Sequence, residues 1–191
     1  MSDVFVCEKK YKNYNFNNSP LATGEYEDCS FTNCDFSETN LSQIIFTNCE
    51  FRECNLSLVN LTQTSFKEVT FLNCKMLGLR FNDCNQFDLS FNYKNCQLNH
   101  SSYYKCDLQG ISFNNCVLQD VDFTETNLTA AVFSDCDFAN AHFEKTNLAK
   151  ANFSTSYNYS LNPNINNIKK AKFSLPAVVG LLAMHDIVVE G

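Results

Sequence analysis

The chain has 191 residues, with 21 acidic and 14 basic side chains and a formal net charge of −7, long enough for one domain with a sizeable core. That balance argues against direct binding to nucleic-acid phosphates or to an anionic membrane surface, and favours a partner with a basic surface. No apolar run reaches the roughly 18 residues of a transmembrane helix, and the start MSDVFVCEKKYKNYNF has no apolar signal core, so a cytoplasmic location with reduced thiols is expected.

From Tyr26 onward an apolar residue recurs every fifth position, a period that fits neither a helix nor a strand. The centres run from Tyr26 through Phe31, Phe36 and Leu41 to Phe91, slip by two, and resume at Leu98 through Phe153. Of 26 centres, 25 are Phe, Leu, Tyr or Met, types that make up only 47 of the 191 residues, so the period is not accidental. Two residues before each centre stands a small residue, as at Cys29, Cys34, Thr39, Cys49, Cys54, Val59, Ala131 and Ala151; 22 of 26 such positions are Gly, Ala, Ser, Thr, Cys or Val. A large and a small residue thus alternate toward one interior, and the three remaining positions are mostly polar and suit turns. If each pentad is one side of a square, four make a coil of 20 residues, and coils stack as parallel strands about 4.8 Å apart. Phe31, Phe51, Phe71 and Phe91 then form one aromatic column, and Phe113, Phe133 and Phe153 another.

In chain order, residues 1–25 carry a weak register, with Val6, Tyr11, Phe16 and Leu21 as centres but Lys9 and Tyr14 at small positions, and are expected to form an irregular capping coil. Residues 26–153 form the regular solenoid, interrupted at 82–98. There Gln86 falls on an inward centre, where an unpaired amide is costly, with Phe87 as its replacement through a bulge; the seven-residue step from Phe91 to Leu98 makes a small loop. Residues 154–191 are a linker, YSLNPNINNIKKAKF, followed by a cap: Ser174 as N-cap, a short helix over 177–185 and a short strand over 187–189. The apolar residues there exceed what one coil end covers, so Val178, Leu181, Leu182, Met184, Ile187 and Val189 are expected to join two copies about a two-fold axis.

The recurring pattern of small residue, Asp or Asn, Phe or Leu and two polar residues resembles the pentapeptide-repeat proteins. This resemblance implies an all-β solenoid, a right-handed quadrilateral β-helix. Two end segments narrow it: EKKYKNYNF, residues 8–16, is similar to the N-terminal entry of Qnr quinolone-resistance proteins, and LNPNINNI with DIVVEG is similar to the C-terminal end of the microcin B17 immunity type. The resemblance implies a DNA-sized acidic rod that engages DNA gyrase or topoisomerase IV and counters a poison. The two projecting loops of the Qnr type have no counterpart here beyond the two-residue slip.

Ten of the eleven cysteines occupy the small inward position, Cys7 being the exception. Cys34, Cys54 and Cys74 fall in one column and Cys96, Cys116 and Cys136 in another, and a straight column does not give the tetrahedral cluster of a zinc site. No metal or other cofactor is expected. His100 and His142 point outward without a nucleophile or carboxylate constellation, and no Gly-rich phosphate loop exists, so no catalytic residue is named and a non-enzymatic binding protein is expected. Residues 26–153 hold 16 acidic and 8 basic side chains, a difference of −8. Candidate contacts for the partner are Asp28, Glu68 and Asp88 on an outward column, with Asp120, Glu125 and Asp135. The alternative is a scaffolding repeat that binds an unrelated protein.

Overall fold

The computed structural model describes residues 4–185 and 187–190. The chain winds as an all-β right-handed solenoid whose strands are all parallel. On one face nine strands stack in order: Lys10–Lys12, Ser30–Thr32, Glu50–Arg52, Val69–Leu72, Phe91–Lys94, Ser112–Asn114, Val132–Ser134, Asn152–Phe153 and Lys172–Phe173. A second face carries four, Val4–Cys7, Gly24–Glu27, Ile45–Thr47 and Ser65–Lys67. The other faces are joined by isolated parallel bridges such as Asp35 to Asn55 and Ser102 to Asp122.

The five-residue period has a backbone cause. One residue per pentad, two after the centre, takes the left-handed conformation and turns the corner: Asn33 at φ 50°, Glu38 at 58°, Gln43 at 63° and Asn48 at 50°. A non-glycine residue there costs about 1–2 kcal/mol. Coil-to-coil hydrogen bonds made at the corner offset it, as when the Asn33 amide donates to the Arg52 carbonyl at 2.9 Å and that of Glu38 to Ser57 at 2.9 Å. The Asp or Asn before each centre has a different task. Its carboxylate or amide oxygen accepts from the backbone amide two residues on, as in Asp35 to Ser37 at 3.0 Å, Asp122 to Thr124 at 2.9 Å and Asp137 to Ala139 at 3.1 Å. These side chains fix turns.

The interior is filled by the centres. One ring column is continuous from end to end: Tyr11, Phe31, Phe51, Phe71, Tyr93, Phe113, Phe133, Phe153 and Phe173, with centroid separations of 4.7–5.5 Å. This merges the two columns expected from the sequence. The two extra residues are inserted before Phe91, not after it. Phe71 pairs with Tyr93 and Val69 with Phe91, so Tyr93 is the centre and Phe91 takes a small-residue position. The same shift joins the cysteines into one column of six, since Lys75 pairs with Gln97 and therefore Cys74 stacks on Cys96.

The insertion lies in the turn between Asn85 and Phe91. Gln86 is exposed rather than inward, and its amide donates to the Phe81 carbonyl at 3.0 Å and to that of Cys84 at 2.9 Å. Leu89, not Phe87, packs against the core. Phe87 is 77% exposed. The four-stranded sheet ends at Ser65–Lys67, immediately below this insertion.

Both ends differ from expectation. The first coil is regular, with Val4 to Cys7 in register with Gly24 to Glu27; Lys9 lies over the Tyr11 ring and Tyr14 is exposed, so neither needs to fit inside. At the other end, the helix is two 3₁₀ turns, Ala177–Leu181 and Ala183–His185. Pro176 is the N-cap, and Ser174 contributes its backbone carbonyl to the Val178 amide rather than a side-chain cap. Residues 187–189 carry no regular secondary structure, so the expected strand is not formed; an isolated three-residue segment lacks the neighbour that a strand requires. The 3₁₀ turns continue the solenoid path, because the Leu161 amide donates to Gly180.

Candidate partner-binding surface

Two groups of outward carboxylates stand out. Those before a centre (Asp35, Asp122 and Asp137) are spent on turns. Those at left-handed corners project from the edges of the rod: Glu8, Asp28, Glu38, Glu53, Glu68, Asp88, Asp120, Glu125 and Asp135. All six acids named from the sequence are corner residues. Corner geometry adds three that sequence reasoning missed, Glu8, Glu38 and Glu53; their position two residues after a centre was the available signal.

The structure does not gather the six into one column. Asp28 and Glu68 share an edge, separated by Asn48, whose amide bonds to Asp28. The pairing of Val69 with Phe91 places Ser90 above Glu68, so Asp88 stands off that edge in the inserted turn. Asp120, Glu125 and Asp135 lie on three other edges. Asp120 is 3.7 Å from His100 and Glu125 is 3.6 Å from Lys105, each on the preceding coil. Asp135 terminates an edge of stacked amides in which Asn115 donates to Asn95 and Asn95 to Asn73, both at 2.9 Å.

A polarity along the rod emerges from the corners. Up to Asp88 they carry six carboxylates and no Lys or Arg; from Asn95 onward they carry three carboxylates and four lysines, Lys105, Lys145, Lys150 and Lys170. Among the described residues, none of the first six corner acids is in an ion pair, whereas two of the later three face a cation or His.

The interior offers no comparable chemistry. Among the described residues no three or more His, Cys, Asp or Glu converge as a metal site, and no helix is long and apolar enough to cross a membrane. Burial pushes the Cys49 and Cys106 thiols up to about 12 and the Tyr26 phenol to about 12, and these groups stay protonated at neutral pH. The Tyr103 hydroxyl donates to Tyr93 at 3.0 Å, both fully enclosed.

The C-terminal candidates divide as well. Val178 and Leu181 are half-buried, Leu181 against the solenoid core, while Leu182, Met184, Ile187 and Val189 are exposed.

Against known proteins, the pentapeptide repeat region family matches at residues 24–93 and 86–153. The chain belongs to the pentapeptide-repeat family. No curated protein matches it in sequence. Among solved structures, this pentapeptide-repeat chain is similar to two trypsin-treated variants of QnrB1, a plasmid-mediated fluoroquinolone resistance protein. One variant gives 17% identity, a TM-score of 0.53 and coverage of 98% of this chain and 100% of that one. The other gives 17% identity, a TM-score of 0.55 and coverage of 98% and 92%. HetL, a pentapeptide repeat protein involved in heterocyst differentiation regulation in the cyanobacterium Nostoc sp. strain PCC 7120, gives 14% identity, a TM-score of 0.47 and coverage of 90% and 87%. At these identities the likeness to QnrB1 is one of fold.

Proposed function

We propose that this protein is a non-enzymatic, cytoplasmic binding protein that engages DNA gyrase or topoisomerase IV in place of a DNA segment, relieving a poison such as a quinolone or a microcin. The observation that carries this reading is the set of six corner carboxylates from Glu8 to Asp88, spread over several edges of the rod, with no basic corner among them and, among the described residues, none in an ion pair. Those corners span about four coils, roughly 19 Å at about 4.8 Å per coil. Six charges over that length, summed over the edges, give about one per 3 Å of axis, roughly half the duplex density of one per about 1.7 Å. The fold shared with a fluoroquinolone resistance protein supports the same reading. Two copies joined through Leu182, Met184, Ile187 and Val189 would lengthen the rod, with the acidic halves at the outer ends.

The test is a gyrase supercoiling assay with the purified protein, with and without a fluoroquinolone. Recovery of supercoiling in the presence of drug is the expected result. Inhibition without recovery would retain mimicry and remove protection; no effect at micromolar protein would leave a scaffold for an unrelated partner.

A further inference from the structure

The ten buried thiols form vertical neighbours that the partner-binding surface does not use. Cys34, Cys54, Cys74, Cys96, Cys116 and Cys136 make one unbroken column, Cys29 lies below Cys49 on a second face, and Cys84 lies below Cys106 on a third. Every buried cysteine therefore has another directly above or below it. In the long column the thiols also donate downward to backbone carbonyls, Cys54 to Phe31 at 3.3 Å, Cys74 to Phe51 at 3.3 Å and Cys96 to Phe71 at 3.4 Å.

The coil spacing decides what these pairs can form. Rings stacked over the coils that hold the six thiols have centroids 4.7–5.4 Å apart, in keeping with the step of about 4.8 Å between parallel strands. A disulfide needs its Cβ atoms about 3.8 Å apart, so bridging parallel side chains would pinch the coils by about 1 Å. A linear sulfur–metal–sulfur unit, with metal–thiolate bonds of about 2.3 Å, spans about 4.6 Å and needs little movement. Zinc is excluded by its demand for four ligands, and soft d¹⁰ ions accept two thiolates in line. Charge selects among them. A monovalent ion between two thiolates leaves a buried anion, which is costly, whereas a divalent ion leaves none.

We infer that the stacked thiol pairs are latent sites for a soft divalent d¹⁰ cation, mercury(II) being the ion that matches both span and charge. Each ion displaces two thiol protons to solvent and forms two metal–sulfur bonds. The product is a neutral bis-thiolate, and no oxidant is needed. Ten buried thiols at two per ion give five ions per chain.

The test uses the full chain carrying Cys7→Ser, which removes the exposed thiol, titrated with mercury(II) chloride. Native mass spectrometry counts bound ions, X-ray absorption counts sulfur neighbours, and circular dichroism reports the fold. About five ions with two sulfurs each, on a retained fold, is the expected result. Cys29→Ala and the double variant Cys29→Ala/Cys49→Ala should each lower the count by one, because a single thiol left behind cannot hold an ion alone. The fold tolerates these changes, since Ala131 and Ala151 already occupy the same column in later coils. One ion per thiol, three or more sulfurs per ion, a double variant that loses more than the single one, or uptake only after unfolding would each overturn the inference.

Discussion

The two halves of the rod share one core and differ on their surface. Below the inserted turn, two faces carry strand ladders and the charged corners are all acidic and, among the described residues, outside ion pairs. Above it, one ladder has given way to isolated bridges and the corners mix lysines with carboxylates held by neighbours. Through both runs the same ring column, stepped by 22 residues once instead of 20. The interior therefore sets the coil and tolerates an insertion at a corner, while the corner residues, which contribute little packing, are free to set the charge of each half.

If the core is one continuous object, Phe51→Ala and Phe133→Ala should cost the same, about 3–5 kcal/mol each, in urea unfolding. A much smaller loss in either half would break the comparison. Phe87→Ala, at the exposed tip of the insertion, should stay within about 0.5 kcal/mol.

The ends give the next largest effect. A Cβ on Gly24 would lie 2.1 Å from the Val4 carbonyl oxygen, at φ 152°, and one on Gly180 would lie 1.9 Å from that of Tyr159. Backbone must shift in both, at a cost of about 1–3 kcal/mol. Gly24→Ala should expose the first coil to limited proteolysis. Gly180→Ala should release residues 177–185 and weaken self-association in sedimentation, leaving the acidic half intact.

Alkaline pH offers a gentler probe. Cys49, Cys106 and Tyr26 are all held protonated by burial to about 12, above their ordinary values near 9 and 10. The unfolded chain loses those protons first, so their contribution to stability is complete below about pH 9 and falls between about pH 9 and 12. A melting temperature that is flat across that window would contradict their burial. Smallest is the effect of Glu125→Gln on stability and gyrase affinity, since Lys105 already screens that carboxylate.

The period made the solenoid legible, because a side chain that must point inward every fifth residue leaves its mark in the sequence. The position of the insertion was not legible from it. Phe91 matched the period as well as Tyr93 did, and only pairing with Val69 and Phe71 distinguishes them. Of the proposed acidic surface, the sequence carried the corner positions of all six named residues, but not their grouping, which depends on which corner each occupies and on groups one coil away, as at His100 and Lys105. The terminal strand failed because apolar composition over 187–189 cannot supply a pairing partner.

The most direct test of the acidic half is gyrase binding as a function of salt, for the native protein and for Glu38→Gln/Glu53→Gln/Glu68→Gln. All three residues are exposed and, among the described residues, outside ion pairs, so the fold should be unaffected. A DNA stand-in should bind with an affinity that falls steeply as salt rises, and the variant should bind more weakly with a flatter dependence. Equal affinity and an unchanged salt slope in the variant would contradict the assignment of these corners to the partner.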